Sequence, residues 1–270
     1  MAKAAKKALA SKATLRILGC GEAFDTGLGN NSCLLYDGAK GVPSRAKRFP
    51  TVLFDCGYQV PERLWALPKV YPGLDAVVLT HFHADHAFGL APLLVRFAEE
   101  GRSEPLGVFG PKGAGAFCGK LLDLAYPGIR QKLPFDVEFC EFKEDDSVSW
   151  AGLVFSCART SHSVLNLAVR VEGRGISFAV SGDGQLTEAS RALYADVGLL
   201  LHEVYTVQDA LETHCDLRTL NRFVAGSEIG RVGITHVRRG EKTEMKQACA
   251  ALKKVDPRWM MLKPELELSL

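Results

Sequence analysis

Residues Ala76–Leu79 form an unbroken apolar run that passes through Thr80 straight into His81, Phe82, His83, Ala84, Asp85 and His86. Such a run is strand-sized, and both its faces need cover. Four imidazole or carboxylate side chains then crowd the strand's end within six positions. An apolar strand thus delivers the cluster at its end. Alternate spacing puts His81 and His83 on one side of an extended segment. Asp85 and His86 follow where the chain turns into a helix, read over Asp85–Glu99. Imidazole nitrogens and carboxylate oxygens are good donors for zinc-like ions. The bland alternative is a polar helix start whose four side chains gather there by chance.

The remaining pattern alternates strands and helices. Thr14–Leu18, Ser32–Tyr36 and Thr51–Asp55 read as strands separated by Gly, Asn and Pro. Leu106–Phe109 and Val137–Phe142 are strands flanking a helix at Gly113–Leu124, and four close-set strands follow at Val148–Trp150, Leu153–Ala158, Leu167–Val171 and Ile176–Val180. Helices at Thr187–Tyr194, Leu217–Ile229 and Glu241–Leu252 then alternate with strands at Val197–Val204, Val232–Thr235 and Trp259–Leu262. Two multi-strand stretches, each followed by alternation, predict an α/β fold: two mixed sheets packed face to face with helices outside, an αββα sandwich.

Composition narrows the function classes. No apolar run approaches the ~20 residues of a transmembrane helix, so no membrane partner is expected. The eight cysteines include no C-x-x-C pair, which argues against a cysteine zinc cluster or a disulfide framework and for a reducing compartment. The formal charge is +2, but Lys3, Lys6, Lys7 and Lys12 fall in the first 13 residues, which hold no acid. The rest of the chain is nearly neutral, unlike a dedicated nucleic-acid-binding surface. Residues 1–13 are expected to be a flexible Lys/Ala-rich tail and 14–270 a single domain. The tail has neither the apolar core of a secretory signal nor the arginines of a transit peptide, and the expected location is cytoplasmic.

H-x-H-x-D-H after an apolar strand resembles the signature of the metallo-β-lactamase superfamily. That family adds a His, a bridging Asp and a final His further along, each at a strand end. Candidates stand in that order: His162 in T-S-H-S, Asp183 in V-S-G-D-G and His236 in I-T-H-V. Five of the chain's seven histidines fall on this pattern. The resemblance implies two divalent metal ions, zinc first and manganese or iron next. One would take His81, His83 and His162, the other Asp85, His86 and His236, with Asp183 bridging.

The last two histidines resemble the ribonuclease Z branch. L-L-L-H-E-V-Y (199–205) and T-H-C-D-L (213–217) stand where that branch has H-E-A-T and H-S-T, so Glu203 would orient His214 as the proton donor to the leaving oxygen. The opening I-L-G-C-G-E-A-F-D-T-G resembles that branch's glycine-rich first loop. His202, one residue before Glu203, faces the other way along the strand and reads as structural. The departures matter for substrate. Only a strand pair fits between His162 and Asp183, where ribonuclease Z carries a tRNA-gripping arm, and Gly184 stands where Thr is usual. Lys40, Arg45, Lys47 and Arg48 in the segment 37–50 could touch phosphates, but the default reading is a solvated hairpin tip.

The expected function is a dinuclear hydrolase cleaving a small phosphodiester by metal-activated water. Asp85 would orient that water and His214, held by Glu203, would act as general acid. The expected partner is a small-molecule substrate; nucleic acid is disfavoured, and a homodimer is implied by the family. Alternatives are a lactonase or thioester hydrolase of the same fold, a ribonuclease Z-type tRNA 3′ endonuclease, and a non-catalytic binding or carrier member. An oxygen-reducing di-iron protein would put a carboxylate where His83 stands.

Overall fold

A computed structural model describes residues 13–38, 48–144, 146–209 and 211–270. The expected tail lies outside these residues except for Ala13, which is buried in the first strand, so that strand begins one position earlier than expected. Lys40, Arg45 and Lys47 also lie outside the described residues.

In chain order the elements are β1 (Ala13–Gly19), β2 (Ser32–Asp37), β3 (Thr51–Phe54), α1 (Val60–Trp65), β4 (Leu74–Val78), α2 (Ala84–Ala87), α3 (Leu90–Glu99), β5 (Leu106–Pro111), α4 (Ala114–Ala125) and β6 (Val137–Phe142). They continue with β7 (Ser147–Trp150), β8 (Leu153–Arg159), β9 (Leu167–Gly173), β10 (Ile176–Val180), α5 (Glu188–Tyr194), β11 (Leu199–Glu203), α6 (Leu217–Ala225), β12 (Val232–Thr235), α7 (Lys242–Val255), β13 (Trp259–Met261) and β14 (Glu267–Ser269). One sheet runs β14-β1-β2-β3-β4-β5-β6 and the other β13-β12-β11-β10-β9-β8-β7. Each is antiparallel over one half and parallel over the other, β3 to β6 in the first sheet and β10 to β13 in the second.

Period-two alternation assigns the layers. In β3, Val52 and Phe54 join a core between the sheets, while Leu53 joins an outer core beneath α1, α3 and α4. In β10, Phe178 and Val180 face inward and Ala179 faces a third core with Tyr194, Leu220 and Met245. Phe54 and Phe178 meet edge to face across the sandwich at 5.4 Å. Both faces of each sheet are thus covered, as the continuous apolar strands require. The expected αββα sandwich is borne out.

Several elements differ from expectation. The helix read over Asp85–Glu99 is two, broken at Phe88–Gly89, where the Gly89 N–H donates to Cys56 O and a Cβ would collide with Gly57 O. Pairing of β4 stops at Val78, two residues before Thr80: the Leu79 N–H makes the last ladder bond, to Phe109 O, and the Thr80 N–H turns to the Asp55 carboxylate. Helix α1 and strand β14 were not legible, the first because Pro61 masks a short helix and the second because three residues carry little periodicity.

Candidate metal centre

The parallel strands of both sheets point their carboxyl ends at one edge of the sandwich, the usual place for a site in such sheets. From the first sheet, the end of β4 and the start of α2 deliver His81, His83, Asp85 and His86. From the second, His162 follows β8, Asp183 follows β10 and His236 follows β12. All seven side chains converge. His81, His83 and His162 form one group and Asp85, His86, Asp183 and His236 another, each with its donor atoms within 4.8 Å of one another.

Asp183 faces both groups. One carboxylate oxygen lies 3.4 Å from His86 Nε2, and the other lies 3.4 Å from His236 Nε2 and 4.0 Å from His81 Nε2. Its placement depends on the flanking glycines. Gly182 (φ 60°) and Gly184 (φ 114°) occupy the left-handed region, and a Cβ would strike Asn166 and Thr80 at the first or Thr160 and Ser161 at the second. Gly184, a departure from the ribonuclease Z pattern, is therefore required by this backbone.

Asp55, which sequence reasoning passed over, locks the site from beneath. Its buried carboxylate accepts from the Thr80 N–H (2.8 Å), from Thr80 Oγ1 and from His86 Nδ1 (2.7 Å). His86 thereby presents Nε2 to Asp85 and Asp183, in the carboxylate–histidine arrangement typical of metal sites. Asp55 and His236 both adopt φ 57°, a conformation costing about 1–3 kcal/mol for a non-glycine residue and common at functional sites.

Charge divides the two groups. Burial opposes protonation of every imidazole here. For His81, His83 and His162 burial prevails and holds the rings below their ordinary value, which favours the neutral, metal-binding form. For His86 and His236 the neighbouring carboxylates overcome burial. Asp183 and Asp55 raise His86 well above normal, and Asp183 and Asp85 push His236 up to about 9. Asp183 is held far below the usual carboxylate range despite its burial, by His236 and His86. His86 Nε2 and Asp183 Oδ1 are both buried without a hydrogen-bond partner. Orphaned donors and acceptors of this kind, aimed at a common point, fit divalent cations.

Glu203 ends β11, fully buried. Its Oε1 accepts from the Gly184 N–H (2.7 Å), the Cys215 N–H (3.1 Å) and His214 Nδ1 (3.2 Å). His214 is stacked on Tyr205, ring centres 4.4 Å apart, and lies within 4.8 Å of donor atoms of His162 and Asp183. Burial would lower its pKa, but Glu203 raises it above the ordinary imidazole value. His202 points the other way, buried edge-on against Tyr194. Arg48 lies at the opposite end of the strands, paired with Asp75 at 2.7 Å. A cleft of about 410 Å³ opens beside His162, lined by Arg159, Thr160, Ser161, Thr187 and Ala189.

The family described as "Beta-lactamase superfamily domain" matches residues 50–262, most of the chain. The chain belongs to the beta-lactamase superfamily. Within it, the sequence is 30% identical to the ribonuclease Z of Clostridium acetobutylicum over 141 residues, 52% of this chain and 40% of that protein. The chain thus spans about two fifths of the length of the curated relatives it matches. Solved structures also resemble it in fold. The metallo-beta-lactamase fold protein YhfI from Bacillus subtilis (TM-score 0.72, 18% identity) and the short form of human tRNase Z (0.72, 19%) each cover 95% of this chain and 98% of their own. A diphosphatase of the PhnP family (0.68, 18%) covers 96% of this chain and 98% of its own.

Sequence reasoning also missed Tyr205, Thr80 and the residues that hold the His214 loop. None belongs to a cluster of ligand types, and only Asp55, an acid closing an apolar strand, carried a usable signal.

Proposed function

We propose that the chain is a dinuclear metal-dependent phosphodiesterase acting on a small phosphodiester. His81, His83 and His162 would hold one divalent cation and Asp85, His86 and His236 the other, Asp183 lying between, with zinc the first choice for such donors. When bound, these ions polarise a phosphoryl oxygen and make a water acidic near neutral pH. The observation that carries the reading is His214, poised between buried Glu203 and the donor cluster.

Each residue's part follows from its contacts. Asp85 is buried, which opposes its ionisation, but His236 and His86 keep its carboxyl well below the usual range, so it can orient an attacking water. Glu203 fixes Nδ1 of His214 and leaves the other ring nitrogen to hand a proton to the leaving oxygen, worth roughly 10²–10⁴-fold. An alkoxide needs that proton most, which favours phosphodiesters over activated esters. The ribonuclease Z relatives, named for cleaving RNA, support the same bond type. The β9–β10 hairpin fills the interval between His162 and Asp183, which favours a small substrate over tRNA.

The test compares zinc-loaded wild type and His214→Ala on three substrates: a dinucleotide, a nitrophenyl phosphodiester and a lactone. Wild type should cleave both diesters. The variant should lose about 10²-fold on the dinucleotide and far less on the nitrophenyl diester, at unchanged metal content. Equal losses on both diesters would make His214 a substrate-binding residue. Lactone turnover without diester turnover would replace the reading with the lactonase alternative.

A further inference from the structure

The loop that carries His214 is gripped by its own backbone. Three consecutive carbonyls, those of Leu211, Glu212 and Thr213, accept hydrogen bonds from three different side chains: Gln185 Nε2 (3.1 Å), Ser161 Oγ (3.1 Å) and His162 Nδ1 (2.8 Å). The three donors are themselves joined, because Ser161 and Gln185 face each other in an isolated antiparallel bridge with both backbone bonds formed, at 3.0 and 2.9 Å. That bridge joins the segment just past β8 to the loop after β10, the two segments that bring His162 and Asp183 to the site. On the far side of His214, the Cys215 N–H is held by Glu203, and the loop's neck is closed by the Tyr205 N–H on Cys215 O.

We propose that Ser161 and Gln185 are positioning residues for His214, fixing the loop's carbonyls so that the imidazole stays between Glu203 and the donor cluster. His162 makes the third contact through Nδ1, which leaves its Nε2 facing His83. The loop is therefore registered against the same strand ends as the donors themselves. At 211–213 all three donors read backbone carbonyls, so the residues there are free to differ while the loop's path is kept. For its effect on turnover, the proposal rests on His214 being the general acid; for its effect on the loop, it does not.

Ser161→Ala, Gln185→Glu and their combination test it. Gln185→Glu keeps the shape but replaces the donor with a carboxylate facing Leu211 O. Ser161→Thr keeps the hydroxyl and is the rescue control. A single exposed hydrogen bond shifts a local opening equilibrium by about two- to tenfold. Hydrogen exchange in the peptide covering 211–217 should therefore accelerate about two- to tenfold in each single variant and roughly tenfold or more in the double, with Ser161→Thr like wild type. Metal content should stay at the wild-type value. In the double variant, kcat on the dinucleotide should fall several-fold more than on the nitrophenyl diester, with KM little changed. Unchanged exchange in the double variant overturns the clamp, as does an equal loss on both diesters accompanied by metal loss. If His214→Ala shows no leaving-group dependence while exchange still accelerates, the acid assignment fails and the clamp on the loop stands.

Discussion

Asp55 offers the sharpest separation between holding the fold and tuning a metal. Asp55→Ala would strand two buried donors, the Thr80 N–H and His86 Nδ1, since Thr80 Oγ1 can turn to His81 Nδ1 at 3.0 Å. Each stranded donor costs about 1–3 kcal/mol and one of them loses a charged partner, so the metal-free protein should lose about 3–5 kcal/mol. That is a large part of an ordinary domain's 5–15 kcal/mol. Asp55→Asn behaves differently. Its carbonyl oxygen still accepts from Thr80, but its amide must donate to His86 Nδ1, which forces the ring proton onto Nε2. There it meets Asp85 and Asp183 at 3.3 and 3.4 Å, a comfortable place for a proton and the wrong one for a cation. The Asn variant should be within about 1–2 kcal/mol of wild type in chelator, yet bind metal about 10–100-fold more weakly. Guanidinium unfolding in chelator measures the first quantity, and competition with a chromophoric chelator the second. Asn and wild type binding zinc equally well would refute the tautomer argument.

Two further outcomes are expected. Elemental analysis after zinc reconstitution and desalting should give close to two ions per chain, and Asp183→Ala should lower that number and abolish diester cleavage; no uptake by wild type would remove the basis of the functional reading. Precursor tRNA should bind weakly, with affinity falling steeply between 50 and 200 mM salt as for any non-specific polyanion contact, measured by a filter or mobility assay; tight, salt-resistant binding with 3′ cleavage would return the chain to true tRNA processing.

The first half of the site was legible because it is local. T-H-F-H-A-D-H packs four donors into one strand end, and no tertiary knowledge is needed to see them. His162, Asp183 and His236 became visible only through their order along the chain, since each alone is an ordinary loop residue. The layers were legible from two multi-strand stretches, each followed by alternation of helices and strands. The supporting shell was hidden for a physical reason. Asp55 lies 31 residues from His86 and meets it only because β3 and β4 pair in parallel. The clamp acts on backbone carbonyls, which every residue has and no sequence pattern reveals. Element ends failed for similar reasons: the helix breaks at Gly89, a poor helix former whose N–H is drawn to Cys56 O, a contact that no local pattern reveals.

The donors are split between the layers, four on the first sheet and three on the second, and neither set surrounds a cation alone. Anything that binds there with high affinity reads a coincidence: it can be held only after the two halves of the chain have found each other. Metal uptake in this protein would then be a clock for its own assembly. In a refolding experiment the last ion should be captured only when the inner aromatic contact between Phe54 and Phe178 is already made, and a chain stalled with its sheets apart should leave the metal in solution.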